Sequence, residues 1–147
     1  MNIRHKVSFA FVSGLLLVSS LVFAQNNKID SLKRIIETGV KDTSLVVTLN
    51  ELSREVLNTE DIKQSLEYAR KANELANQLN YKKGMAYSLK NIGLVQYYQG
   101  DYLNVLDSWT QSLKQFESIH DTLGIANLVN NLGAIYYSQG SNVKALD

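Results

Sequence analysis

The chain repeats itself about every 40 residues, and that period constrains the fold more than any other feature. Gly84 recurs as Gly124 and Ala86 as Ala126. Asn91-Ile92-Gly93 recurs as Asn131-Leu132-Gly133, Tyr97 as Tyr137, and Gln99-Gly100 as Gln139-Gly140. Leu106-Asp107 recurs as Leu146-Asp147. Towards the N-terminus Leu89 matches Leu49, Ile92 matches Leu52, Asp101 matches Asp61 and Leu106 matches Leu66. A unit of this length has an apolar face that it cannot hide alone, so stacked copies must cover one another.

The stretch from Met85 to Glu117 shows what one unit contains. Ala86, Leu89, Ile92, Gly93 and Gln96 fall at three- and four-residue steps, and so do Val105, Leu106, Trp109, Ser112, Leu113 and Phe116. Each set makes one face of a helix, and Gly100 separates the two. The preceding unit repeats the scheme with Val46, Leu49, Leu52 and Val56, then Ser65, Leu66, Ala69, Ala72, Leu75, Ala76 and Leu79. Small residues there predict close helix approach, and Trp109 and Phe116 a thicker contact. Gly93 and Gly133 lie inside predicted helices, where glycine costs about 1 kcal/mol relative to alanine. The repeated cost predicts close backbone approach between helices. Gly100 and Gly140 stand where a helix must close in the left-handed conformation. Asp61, Asp101 and Ser141 follow as predicted N-caps.

These residues resemble the tetratricopeptide repeat, a helix–turn–helix unit that stacks into a right-handed superhelix. Leu89, Ile92, Gly93, Gly100, Tyr102, Val105 and Trp109 fall on the family's large, Leu, Gly, turn, aromatic, small and aromatic positions. Leu132, Gly133, Tyr136, Gly140 and Ala145 do so in the next copy. Gln96 and Val56 replace the family's Tyr, Ser53 replaces its helix Gly, and no proline closes a unit. The period exceeds the usual value of about 34, which resembles the longer-period subgroup. The resemblance runs from Leu45 to Asp147. It implies an all-α, right-handed solenoid with units at 45–84, 85–124 and 125–147, the last cut short within its second helix. Residues 25–44 are expected to form a lead-in helix capped at Asp30 or Ser31, carrying Ile29, Leu32, Ile35 and Ile36, ended by Gly39 and packed on the first unit.

Residues 1–24 have the shape of a signal peptide. Arg4, His5 and Lys6 precede an apolar run from Val7 to Phe23, and Val22-Phe23-Ala24 ends in the small residue that a signal peptidase reads. Cleavage before Gln25 makes the protein periplasmic or otherwise extracytoplasmic. The alternative is an uncleaved inner-membrane anchor, although the run is slightly short of the span of about 20 residues. Losing Arg4 and Lys6 leaves 13 basic against 14 acidic residues. A near-neutral chain is not expected to bind nucleic acid or an anionic membrane surface directly. The absence of cysteine excludes a disulfide framework.

The motifs of catalysis are missing: there is no phosphate-binding glycine loop, metalloprotease helix or nucleophile elbow. His120, mapping onto Asn80, reads as a solvated loop residue, and Glu51, Glu55, Glu60 and Asp61 read as a solvated face. The expectation is a non-enzymatic chain without metal or cofactor. Two functional readings remain open: an exported scaffold that binds a protein or peptide, and the extracytoplasmic sensing segment of a longer signal-transduction protein. In the family the first helices of successive units line a concave binding face. Carried over by position, that face comprises Asn50, Arg54 and Asn58, then Tyr87, Lys90, Leu94, Tyr97 and Tyr98, then Asn127, Asn130, Ala134, Tyr137 and Ser138. Asn91 and Asn131 stand one step round. Asparagine can donate to and accept from a peptide backbone, and tyrosine offers apolar area with a polar tip. Asn91 matches one residue of the family's carboxylate clamp. Asn50 and Arg54 stand where its Lys and Asn would be, so the resemblance does not extend to that clamp. Tyr97 and Tyr137 are read either as groove residues or as inter-repeat packing.

Overall fold

Left-handed residues fall at positions 39, 60, 80, 100, 120 and 140, and they set the architecture. Between them lie helices that no proline interrupts. The computed structural model describes residues 27–37, 39–138 and 140, and all secondary structure among them is helical. Helix α1 spans 27–37. It is followed by α2 (Thr43–Leu57), α3 (Ile62–Gln78), α4 (Lys82–Tyr98), α5 (Tyr102–Ser118) and α6 (Thr122–Ser138). From α3 onwards every helix has 17 residues. The signal segment 1–24, Gln25, Gln139, Ser141, Ala145, Leu146 and Asp147 lie outside the described residues.

The turns repeat because their hydrogen bonds repeat. After α4, Gly100 N–H donates to the Tyr97 carbonyl and Asp101 N–H reaches back to Gln96, both at 3.0 Å. Tyr81 to Ala76 (2.8 Å) and Asp121 to Phe116 (3.0 Å) make the same reach after α3 and α5. This closure needs one left-handed residue, at φ +74° for Gly100 and +54° for His120. His120 is therefore a turn residue, in the same role as Asn80. Asp61 and Asp101 cap α3 and α5, as expected. Asp42 and Asp121 do the same for α2 and α6 without having been anticipated. The helices α4 and α6 begin at Lys82 and Thr122, three residues ahead of the unit boundaries read from the sequence. Helix α1 also starts earlier than expected, so Asp30 and Ser31 sit within it and do not cap it.

Consecutive helices pack in pairs, and α2 also lies directly against α4. Ile29 and Leu32 of α1 cover Leu52 and Val56 of α2, with Tyr68 alongside, so α1 packs on the first hairpin. Val46, Leu49, Ala72, Leu75 and Ala76 form the seam between α2 and α3. Ala86, Val105, Trp109, Phe116, Leu128 and Ile135 form the core shared by α4, α5 and α6. Helix α4 is wrapped on three sides, by α2, α3 and α5, so it buries more than the single stripe read from its sequence. Ser88, Asn91 and Val95 are buried with Ala86 and Gly93, whereas Leu89 and Ile92 are half-buried.

What fits into Gly93 is a side chain. A methyl group there would lie within the Trp109 indole, whose Nε1–H donates to the Lys90 carbonyl at 3.0 Å. The close approach expected at this glycine is thus made by a ring and not by backbone.

Candidate functional site: the groove between α2 and α4

Helical spacing puts Val47, Asn50, Glu51 and Arg54 on one stripe of α2, and Lys83, Tyr87 and Asn91 on one stripe of α4. The two stripes border a groove of 330 Å³ that Tyr81 and Gly84 also line. Its floor is an amide pair. Asn91 Nδ2 donates to both the carbonyl and Oδ1 of Asn50, each at 3.0 Å, and Asn50 Nδ2 donates to the Val46 carbonyl at 3.1 Å. Asn50 is only 7% exposed. Its two oxygens hold α4 to α2, while its amide N–H bonds within α2.

Tyr87 forms a wall, braced edge-on against Phe116 with ring centroids 5.0 Å apart. Lys90 is half-buried on α4. Burial, and then the charge of Arg54, hold its ammonium below the ordinary lysine range, while Asp121 pulls the other way. Arg54 is exposed on α2 and Asn58 at its C-terminal cap, and Leu94 is half-buried against the α4–α5 core.

The remaining expected residues lie elsewhere. Tyr97 stacks on Trp109 at 6.3 Å with an interplanar angle of 19°, yet keeps 44% of its surface exposed. It thus packs and presents a face at once. Tyr98 is exposed and meets Tyr97 edge-on. On α6, Asn127, Asn130, Ala134 and Tyr137 are exposed and Asn131 is half-buried. Of the residues expected from the sequence, the groove brings together Asn50, Arg54, Tyr87 and Asn91. Val47, Glu51, Tyr81 and Lys83 were missed. The first two share the helical stripe of Asn50 and Arg54, and Lys83 lies one turn before Tyr87, so the stripe spacing was the available signal.

Among the described residues no cluster of His, Cys, Asp or Glu is placed to hold a metal, and no helix is long and apolar enough to cross a membrane. Glu60 is a turn residue, Asp61 a cap, and Glu55 pairs with Lys28 of α1 at 2.6 Å. No family model matches the chain, and no curated protein gives a significant match. Fold and groove define an all-helical protein of repeated hairpins, an arrangement compatible with an α-solenoid.

Proposed function

We propose that the chain is an exported, tetratricopeptide-like right-handed solenoid that binds an extended polypeptide segment in the groove between α2 and α4. The observation that carries this reading is the groove itself, a 330 Å³ channel between successive first helices. Its lining mixes Tyr81 and Tyr87 with amides and charged side chains. Tyrosine supplies contact area at low entropic cost, and the polar groups match a peptide backbone. The basic start and apolar run of residues 1–24 support export.

A photo-cross-linking amino acid tests this directly. Val47 lines the groove and is 46% exposed, and Arg70 is exposed on α3, away from the groove. With the cross-linker at position 47, the protein should capture members of a random pool of short peptides. With it at position 70, it should not. Equal capture at both positions, or none at 47, contradicts peptide binding in this groove.

A further inference from the structure

We infer that the segment bound in this groove presents a primary amide, the side chain of Asn or Gln, to the pair Asn50–Asn91. This rests on the peptide-binding reading above and names the side chain that the groove selects.

Asn91 lines the groove and is 4% exposed. The direction of its amide is fixed by chemistry. The Asn50 carbonyl can only accept, so the Asn91 atom that faces it at 3.0 Å is Nδ2. Nδ2 is thereby engaged with Asn50, and Oδ1 is the opposite end of the same amide. Among the described residues no donor bonds to this Oδ1. Among them, too, no buried side-chain nitrogen or oxygen is without a partner, so Oδ1 reaches the surface, and Asn91 lines the groove there. Asn50 has the complementary group left over. One of its amide hydrogens goes to the Val46 carbonyl, and the other has no acceptor among the described residues.

The pair thus holds one acceptor and one donor on two amides in direct contact. Covering either without pairing it costs free energy. A carboxylate offers only acceptors, so it leaves Asn91 Oδ1 unpaired, and Glu51 in the lining repels it. Lysine and arginine side chains offer only donors, and Arg54 and Lys83 in the lining oppose a further cation. An apolar side chain pairs neither group. A primary amide is neutral and carries a donor and an acceptor together at the tip of a short stem. A tip also suits the place. Both asparagines are less than a tenth exposed, and a main chain flanked by its own side chains meets the exposed Val47 first.

The test is fluorescence anisotropy on the whole chain with four labelled peptide pools of equal length. A central position holds Gln, Glu, Lys or Met, and the other positions are random without Asn or Gln. Each peptide ends in an N-methylamide, so the central Gln is the one primary amide present. The Gln pool should bind at least about fivefold tighter than the Met pool, the scale of one or two hydrogen bonds, with Glu and Lys no better than Met. The Gln–Met difference should persist as salt is raised, because neither side chain is charged. It should vanish in Val47→Trp, which fills the groove from an exposed position and should leave the circular dichroism unchanged. In the ¹⁵N-labelled protein the side-chain amide signals of Asn50 and Asn91 should move with the Gln pool and stay in place with the Met pool. Equal affinity for Gln and Met, or tighter binding of Glu or Lys, overturns the amide selection and leaves peptide binding standing. A Gln preference that survives Val47→Trp, or that leaves both asparagine signals unmoved, overturns the assignment to this pair. Failure of all four pools to bind overturns both readings.

Discussion

The first hairpin, α2–α3, and the second, α4–α5, share a backbone plan and differ in what fills it. In the second, Trp109 projects from α5 onto Gly93 of α4. At the corresponding places in the first stand Ala69 and Ser53. The large Trp109 meets the missing side chain of Gly93, and the two corresponding residues, Ala69 and Ser53, are both small and buried. Where the second hairpin has the apolar Val105, the first has Ser65, which hydrogen-bonds across its two helices. Ser65 Oγ donates to the Ser53 carbonyl at 2.8 Å, and the two hydroxyls lie 3.2 Å apart. A second exchange occurs at the glycines that follow each hairpin. The Phe116 ring covers Gly124, whereas Ala76 is too small to cover Gly84, and the Tyr81 ring does so with Val46. Tyr81 occupies the place that Asp61, Asp101 and Asp121 use as caps, and α4 has no side-chain cap bond. Volume is therefore matched across a contact and not position by position, and one cap is given up to achieve it.

The largest way to break this comparison is Trp109→Ala. It removes an almost fully buried ring and should cost about 3–5 kcal/mol in urea denaturation. Ser65→Ala, in the first hairpin, should cost only about 1 kcal/mol, the value of its hydrogen bonding. Gly93→Ala comes next. Overpacking against the indole, about 1–3 kcal/mol, should outweigh the helical gain of up to about 1 kcal/mol. At the equivalent position Ser53→Ala adds no carbon atom and should stay within about 1 kcal/mol of the wild type. Tyr81→Asp sharpens the second exchange: it restores a cap worth about 1 kcal/mol but uncovers Gly84, and thermal melting should register a net loss.

The smallest effect concerns the cap of α2. The Ser44 hydroxyl, and then the Leu45 N–H, hold the Asp42 carboxyl below its ordinary range. A lowered folded value means that the cap's stabilisation is complete above the ordinary carboxylate pKa. It is lost as pH falls through the lowered value. Asp42→Asn should remove that acid-side slope while leaving the neutral-pH helicity nearly intact, as followed by circular dichroism.

The hairpins were legible because their signals are local and repeated. Gly100 at a left-handed turn, Asp61 and Asp101 at helix starts, and Val46, Leu49, Leu52 and Val56 on one buried stripe all follow from spacing. What escaped was pairwise. Nothing in the sequence near Gly93 says that its neighbour is an indole, because Trp109 lies on another helix. Glu60 carries no turn signature, yet it adopts the left-handed conformation of Gly100, as do Asn80 and His120, residue types that tolerate it better. The site was partly legible for the same reason. Arg54 and Tyr87 followed from position in the unit. Asn50 followed too, but its burial depends on Asn91 reaching across from α4, a contact that no single-helix pattern contains.

The central claim is that the missing side chain at Gly93 exists to receive Trp109. A double-mutant cycle in urea tests it most directly, comparing wild type, Gly93→Ala, Trp109→Ala and the pair. The expected result is that Gly93→Ala destabilises the wild type but is neutral or stabilising once Trp109 is alanine, a coupling of about 1–3 kcal/mol. The same cost in both backgrounds would contradict the account.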